Sequence, residues 1–351
     1  MELVDLLKEA VEQEASDIFI VSGLPLSYRR KGVICQIGEE RMMPPQTRDF
    51  VKKIYELADG REIQRLETQG DDDFSFALQG VSRFRVSAYK QRGSLSAVVR
   101  VISFKMPSPD ELQIPEQIID FSKLSKGLVL VTGPAGSGKS TTLACIVDAI
   151  NKSRHKHIIT LEDPIEFLHS HNQSIVSQRE INVDTESYVT ALRASLRQSP
   201  DVILLGEMRD YETIEVAMTA AETGHLILST LHTIGAANTI DRIIDVFPAD
   251  QQRQIAVQLS MTLQAVVSQQ LVPTVDGSVA PVFEIMTVTP AIRNMIRENK
   301  IPQIDGIVYS SNRPDMISLD AGLLRLYKEG RITADTAVAY AENPDMLQKK
   351  L

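Results

Sequence analysis

The sequence has little cysteine, no long apolar run and no excess of basic residues. Among its 351 residues the two cysteines, Cys35 and Cys145, lie far apart, so they predict neither a disulfide framework nor a CxxC zinc site. This usage fits a reducing cytoplasm. No apolar stretch reaches about 18 residues, so we expect no membrane span. The net charge of −9 disfavours binding that depends on nucleic-acid phosphates, because such binding needs clustered Lys and Arg.

The chain divides into regions with different secondary-structure patterns, and its length suggests two domains. Residues 1–104 predict an α+β domain with an amphipathic first helix, a strand at "DIFIVSG" and a hairpin that turns at Gly93. Residues 105–117 are rich in proline and predict a linker. Over residues 118–288 short apolar strands alternate with helix-length segments, which is typical of a mostly parallel sheet covered by helices. Residues 289–351 predict a helical C-terminal region.

"GPAGSGKS", residues 133–140, follows a predicted strand and precedes a predicted helix, as a phosphate-binding loop does. Glycines let the backbone N–H groups curl around phosphate oxygens, and the helix directs its positive N-terminal end at the same anion. Lys139 can reach the β- and γ-phosphates, and the Ser140 hydroxyl can ligate Mg²⁺. The alternative is a chance glycine turn before a helix. The predicted nucleotide-binding residues are Gly133, Pro134, Ala135, Gly136, Ser137, Gly138, Lys139, Ser140 and Thr141.

Polar side chains follow three further predicted strands. Glu162 and Asp163 follow "HIITL", Glu207 follows "DVILLG", and His232 follows "LILSTL". The carboxyl ends of parallel strands form one edge of a sheet, and ligands bind there. We therefore expect these groups to face the phosphates, with Glu207 directed at Mg²⁺ or the water around it. The alternative is that they are ordinary polar strand ends in solvent.

His225 and His232 flank the last of these strands. An extended chain of seven residues spans about 23 Å at roughly 3.3 Å per residue, so one ion cannot bind both side chains. The spacing predicts a contact from His232 to the γ-phosphate or to water, and a structural role for His225.

Four motifs in this order resemble those of the secretion ATPases that drive type II secretion and type IV pili. "GPAGSGKST", "LEDPIEF", "LRQSPDVILLGEMRD" and "TAAETGHLILSTLHT" correspond to the Walker A loop, the Asp box, an atypical Walker B motif and the His box of that family. The resemblance implies an α/β protein with an N-terminal PAS-like α+β domain, a RecA-like P-loop ATPase domain and a helical C-terminal region. It also implies a cytoplasmic, Mg²⁺-dependent homohexamer that hydrolyses ATP.

Within this family the sequence is most similar to PilT-type pilus retraction ATPases. Assembly and secretion members usually carry a longer N-terminal region and a four-cysteine zinc site, and neither is present here. "AIRNMIREN", residues 291–299, resembles the retraction motif, with Met295 in a leucine position. The implied partners are an inner-membrane pilus platform protein and other pilus ATPases, without nucleic acid. Alternatives within the family are a PilU-like accessory retraction ATPase and a pilus-assembly or type II secretion ATPase.

The resemblance also assigns roles that spacing leaves open. It places Glu207 at the magnesium ion and gives Glu166 the activation of the attacking water, whereas spacing did not choose among Glu162, Asp163 and Glu166. It puts both histidines, His225 and His232, in the functional His box, against the structural interpretation of His225. The Walker A loop departs mildly from the family pattern, with Ala135 where threonine is common.

Arginines of the N-terminal hairpin are candidates for action in trans. P-loop enzymes often complete their site with an arginine from another subunit, whose guanidinium spreads charge over the transferring phosphoryl group. Arg83 and Arg85 lie two residues apart and share one strand face. The resemblance favours Arg85 and Arg100 as such residues in a closed ring. The alternative is a solvated strand face.

The segment "TPAIRNMIREN" predicts an amphipathic helix. Ile292, Met295 and Ile296 share one face and should pack on the core, whereas Arg293 and Arg297 should form a separate basic stripe. The resemblance links this helix to retraction, and the alternative is an ordinary surface helix.

Two other classes of function remain alongside the motor ATPase: a nucleic-acid translocase on a RecA-like core, and a scaffold that binds ATP without turnover.

Overall fold

The computed structural model describes residues 2–30, 32–102 and 106–351, which form two compact units. The first unit comprises Met1–Lys105 together with Glu166–Leu168, and the second comprises Met106–Ile165 together with His169–Leu351. The domain boundary expected between residues 104 and 105 lies outside the described residues.

The first unit is built on a six-stranded antiparallel sheet, with strand order β3-β2-β1-β6-β5-β4. Its elements are α1 (Leu3–Glu12), β1 (Asp17–Ile20), β2 (Pro25–Arg30), β3 (Val33–Arg41), α2 (Pro44–Leu57), α3 (Gln64–Gln69), β4 (Asp71–Leu78), β5 (Ser82–Gln91) and β6 (Ser94–Ile102). The hairpin expected around Gly93 joins β5 to β6. Both turn residues, Arg92 and Gly93, have positive φ, at 48° and 78°, which matches the right-handed twist of the two strands.

The second unit contains a seven-stranded sheet with strand order β13-β12-β7-β11-β10-β8-β9. All neighbouring strands are parallel except β12 and β13. Its strands are β7 (Gly127–Thr132), β8 (His157–Glu162), β9 (Ile175–Glu180), β10 (Val202–Leu205), β11 (Leu226–Leu231), β12 (Leu263–Pro273) and β13 (Val279–Thr287). Its helices are α4 (Glu116–Ile119), α5 (Lys139–Ser153), α6 (Tyr188–Ser195), α7 (Tyr211–Glu222), α8 (Ala236–Asp245), α9 (Gln252–Thr262), α10 (Pro290–Arg297), α11 (Gln303–Ser310), α12 (Leu319–Lys328), α13 (Ala334–Tyr340) and α14 (Pro344–Gln348).

The strands predicted from apolar runs are the four central ones. Every residue of β7, β10 and β11 is buried, because helices cover both faces of the sheet. The fold class expected from the sequence is therefore confirmed: an α+β domain, a parallel-sheet domain and a helical C-terminal region. Among the helices of the described residues, none combines the length and the apolar character that a bilayer span requires.

The helix expected at "TPAIRNMIREN" is α10, but one of its arginines does not behave as predicted. Ile292 and Ile296 are buried as expected. The Arg293 guanidinium donates to the carbonyls of Ser260 and Met261, at 2.7 and 3.1 Å, in the last turn of α9. A cation at a helix C-terminus satisfies carbonyls that have no partner within the helix. The predicted two-arginine stripe is therefore wrong for Arg293, whereas Arg297 is exposed.

Candidate nucleotide site

The predicted phosphate loop connects β7 to α5, and its glycines adopt conformations that other residues rarely do. Gly133, Gly136 and Gly138 have φ of 140°, 77° and 87°. A Cβ atom added to Gly133 would lie 2.1 Å from the carbonyl oxygen of Gln269, so a side chain cannot be accommodated there. The loop ends at the N-terminus of the 15-residue helix α5. This arrangement fits an anion, because backbone N–H groups and the positive helix end converge on one cradle.

Lys139 is the first residue of α5, and its charged end lies back over the loop. Its Nζ atom donates to the carbonyl oxygens of Gly133 and Pro134, both at 2.9 Å. Only 8% of the residue is exposed. The ammonium group carries a positive charge, which attracts the oxygens of a phosphate bound in the loop. Ser140 follows with an exposed side chain.

Glu207 and His232 meet at the carboxyl edge of the sheet. They follow the neighbouring parallel strands β10 and β11, and Nε2 of His232 lies 3.4 Å from Oε2 of Glu207. The same oxygen forms an ion pair with Nε of Arg209 at 2.7 Å. The Glu207 side chain is 15% exposed, so it is held in place while remaining open to a ligand.

The carboxylates at the carboxyl end of β8 lie on the same side as Glu207. Asp163, Glu207 and Arg209 line a cavity of about 240 Å³ together with Tyr188. Burial raises the pKa of the Tyr188 hydroxyl, and the negative charges of Glu207, Asp163 and Glu162 raise it further. Glu162 accepts hydrogen bonds from Thr160 Oγ1 at 2.5 Å and from Gln178 Nε2 at 3.3 Å, so its orientation is set locally.

The close contacts around Gly206 explain why a glycine precedes the acidic residue at the end of β10. The Gly206 N–H donates to the carbonyl of Leu161 at 2.8 Å, which draws the end of β10 against β8. A Cβ atom added here would lie 2.7 Å from the Tyr188 hydroxyl and 3.3 Å from the Leu161 carbonyl oxygen. A side chain at this position would therefore crowd the Tyr188 hydroxyl and the end of β8, directly beside Glu207.

Other predicted site residues lie elsewhere. His225 precedes β11, at the opposite end of that strand from His232, and its Nδ1 lies 2.9 Å from the Ala220 carbonyl oxygen. Glu166 is exposed and belongs to the short segment that is grouped with the first unit.

Arg85 and Arg100 also belong to the first unit, where they are direct cross-strand partners on β5 and β6. The Arg100 side chain is 64% exposed and forms an ion pair with Asp17, with Nε 3.0 Å from Oδ1. Asp17 in turn meets Arg29 at 3.4 Å. These arginines therefore lie on an accessible, charged face of the antiparallel sheet.

The oxygen donors of this edge fit Mg²⁺. No group of three or more His, Cys, Asp or Glu residues is arranged to hold a metal ion in the part of the chain that the structure describes. Mg²⁺ in phosphate sites is commonly bound by one or two protein oxygens, the substrate phosphates and water. The Ser140 hydroxyl and the Glu207 carboxylate supply oxygens of this kind.

A model of the family described as Type II/IV secretion system protein matches residues 2–311. The chain belongs to this family. In Pseudomonas aeruginosa, the protein described as type IV pilus retractation ATPase PilT is 43% identical over 345 residues, which cover 98% of this chain and 99% of that protein. The type IV pilus ATPase PilU of the same organism is 39% identical over 351 residues, which cover 99% and 91%. A crystal structure of the pilus retraction motor PilT with bound ADP has a TM-score of 0.90 at 42% identity, covering 99% of both chains.

The sequence did not predict the cavity beside the phosphate loop or the residues that line it. A cavity of about 410 Å³ adjoins the phosphate loop, a size that is common for small-molecule sites. Its apolar side is lined by Leu112, Ile114, Leu271, Val279 and Pro281. The first two lie within the proline-rich segment and the others on β12 and β13, so no local motif connects them. Gln269 of β12 was missed for the same reason.

Replacing Gly206 by Ala should reduce ATP hydrolysis about ten- to hundredfold, because small displacements of a catalytic group have effects of that order. Steady-state phosphate release measures this loss. Replacing Tyr188 by Phe in the same chain removes the atom nearest to the new Cβ and should restore part of the activity. A double variant no more active than Gly206→Ala, or a fully active Gly206→Ala, would contradict this explanation of the glycine.

Proposed function

We propose that this chain is a motor ATPase that hydrolyses ATP with Mg²⁺, as a homohexamer, to drive retraction of type IV pili. The main support for the proposal is the contact between Glu207 and His232, which lies on the same sheet edge as the phosphate loop. The similarity over nearly the whole chain to a retraction ATPase supports pilus retraction, as opposed to assembly, as the process that ATP hydrolysis drives. A PilU-like accessory retraction ATPase is the second candidate, supported by the 39% identity to that protein.

Different groups of the second unit have different roles in the proposed binding and hydrolysis of ATP. The loop amides and the N-terminus of α5 bind phosphate oxygens, and Lys139 neutralises charge on the β- and γ-phosphates. Ser140 and Glu207 would hold Mg²⁺, which when bound would neutralise charge that develops on the phosphates. Arg209 and His232 hold the Glu207 carboxylate and limit its rotation.

The roles of several further residues rest on the family resemblance. We assign to Glu166 the activation of the attacking water, and to His232, His225 and Glu162 supporting roles in hydrolysis. Arg100, and after it Arg85, are the candidates to contact the transferring phosphoryl group from a neighbouring subunit. The accessible face on which Arg100 lies supports this, because an arginine that acts in trans must be exposed on its own subunit.

The organisation proposed for the chain has four parts. Residues 1–104 form the PAS-like domain, 105–117 the linker, 118–288 the RecA-like core and 289–351 the helical C-terminal region. We place the hexamer in the cytoplasm at the inner face of the cytoplasmic membrane, where it would contact the pilus platform protein.

The proposed function is tested by complementing a deletion strain of the source organism. The deletion should abolish twitching and increase surface pili. The wild-type gene should restore both, and Lys139→Ala should restore neither, because it removes the charge that bridges the phosphates. Loss of pili in the deletion strain would indicate assembly instead. Stimulation of ATP hydrolysis by DNA, with normal twitching, would favour a nucleic-acid translocase.

Replacing Glu207 or Glu166 by Gln should reduce hydrolysis in distinguishable ways. An amide is a poorer ligand for a hard cation than a carboxylate, so Glu207→Gln should shift the Mg²⁺ titration to higher concentration. Glu166→Gln should bind ATP with an unchanged Mg²⁺ requirement and fail to hydrolyse it, because the group that orients the water is lost. Identical Mg²⁺ titrations of the two variants would refute this division of roles.

Reversing the charge of Arg297 should separate retraction from hydrolysis. Arg297 is exposed on α10, so Arg297→Glu should leave the melting temperature and the ATPase rate close to wild type while twitching stops. Lys328→Glu, at another exposed basic position near a helix C-terminus, is the matched control and should keep twitching. Arg293 is unsuitable for this test because it holds the end of α9. Normal twitching of Arg297→Glu would make α10 an ordinary surface helix.

A further inference from the structure

Strand β12 directs adjacent polar side chains to opposite faces of the sheet. Ser268 and Gln270 line a cavity beside the N-terminus of α8, and the Ser268 hydroxyl accepts the Gly235 N–H at 2.9 Å. Gln269 points the other way, towards the phosphate loop and α5. It is 4% exposed. The alternation of a strand therefore brings one buried amide against the loop and keeps its neighbour away from it.

The Gln269 amide makes one hydrogen bond on each side. Its Nε2 donates to the Ser137 carbonyl at 2.6 Å, and its Oε1 accepts from the Thr142 hydroxyl at 2.7 Å. The Ser137 carbonyl can only accept, so it requires the amide nitrogen on its side. The amide therefore has one satisfactory orientation, and losing either bond would leave a buried polar group unpaired.

The bond to Ser137 sets the direction of a whole peptide group. The peptide between Ser137 and Gly138 is planar and trans, so its carbonyl and its N–H point in opposite directions. When Gln269 holds the Ser137 carbonyl, the Gly138 N–H is turned away from β12. In a Walker A loop the N–H groups of this part of the chain cradle the phosphates.

Gln269 also constrains both glycines at the ends of the loop. Its carbonyl oxygen occupies the space of a Cβ at Gly133, and its Nε2 lies 2.9 Å from where a Cβ at Gly138 would be. We propose that Gln269 is a positioning residue, which orients the Gly138 N–H and thereby sets the affinity of the loop for the β-phosphate of a nucleotide. This inference rests on the proposed ATPase function of the same loop.

Replacing Gln269 by Met tests the proposal, because Met has a similar length and cannot donate a hydrogen bond. The Kd for ADP should rise about tenfold or more, as expected when a bond to a charged acceptor is weakened. The KM for ATP should rise by a similar factor while kcat changes less. Gln270→Met, on the same strand but facing away, is the matched control and should bind ADP as the wild type does.

A pH dependence distinguishes positioning from a loss of packing. In Gln269→Glu an ionised carboxylate would repel the Ser137 carbonyl, whereas a protonated carboxyl can donate to it and still accept from Thr142. ADP affinity of this variant, measured relative to the wild type, should therefore recover as pH is lowered from 8 towards 5.5. The ratio for Gln269→Met should stay constant over that range.

The outcomes separate this inference from the proposed function. If the wild-type protein binds no ADP, the proposed function itself is refuted. ADP binding that is unchanged in Gln269→Met, or weakened equally in Gln270→Met, would overturn the positioning role alone. If Gln269→Met does not fold, Thr142→Val removes the hydroxyl that orients the amide while preserving shape. It should weaken ADP binding in the same direction, and unchanged binding would again overturn the proposal.

Discussion

The parallel pairing of β7, β11, β10 and β8 is the constraint on which the nucleotide site depends. Leu231 of β11 pairs with Thr132 of β7, so the next residues, His232 and the first loop glycine, leave the sheet at the same level. Leu205 of β10 pairs with Ser229 of β11, which brings the Gly206-Glu207 step beside the same edge. Register alone therefore assembles groups that are about a hundred residues apart in sequence, and a shift of one residue would turn each of them to the other face.

Close backbone approach is the second requirement, and two glycines meet it. Gly133 lets β12 pass directly beside the phosphate loop, and Gly206 lets the end of β10 lie against β8 beneath the Tyr188 hydroxyl. In both places a single methyl group would meet a polar atom of the neighbouring element. The glycines of this site therefore serve contact between strands as well as the curvature of the loop.

The central strands and the position of Glu207 were predictable because their signals are local. Four apolar runs identify strands buried on both faces, and the rule that ligands lie beyond the carboxyl ends then locates the acidic edge. That rule places Glu207 and His232 on one edge without any knowledge of the relatives, whereas their direct contact is a finding of the structure. The choice of Glu166 required the family resemblance, since an acidic residue in a loop has no register that spacing can reveal.

Other features were not predictable because their partners are remote. Gln269 bonds to residues 127 and 132 positions away, and a buried glutamine interrupts the apolar pattern that would otherwise identify β12. Helical periodicity placed Arg293 on a polar face, but it contains no information about the carbonyls of α9 that satisfy its guanidinium. Hydrogen bonds between elements that are remote in sequence are thus the part of this structure that cannot be predicted from a single sequence.

A structure of the chain with Mg²⁺ and ADP tests the central claim, that this sheet edge is the site of nucleotide chemistry. The account predicts the β-phosphate within hydrogen-bond distance of the Gly138 N–H and of Lys139, with the metal ion between the Ser140 hydroxyl and the Glu207 carboxylate, directly or through water. A nucleotide bound away from the loop, or a metal ion that neither Ser140 nor Glu207 approaches, would contradict it.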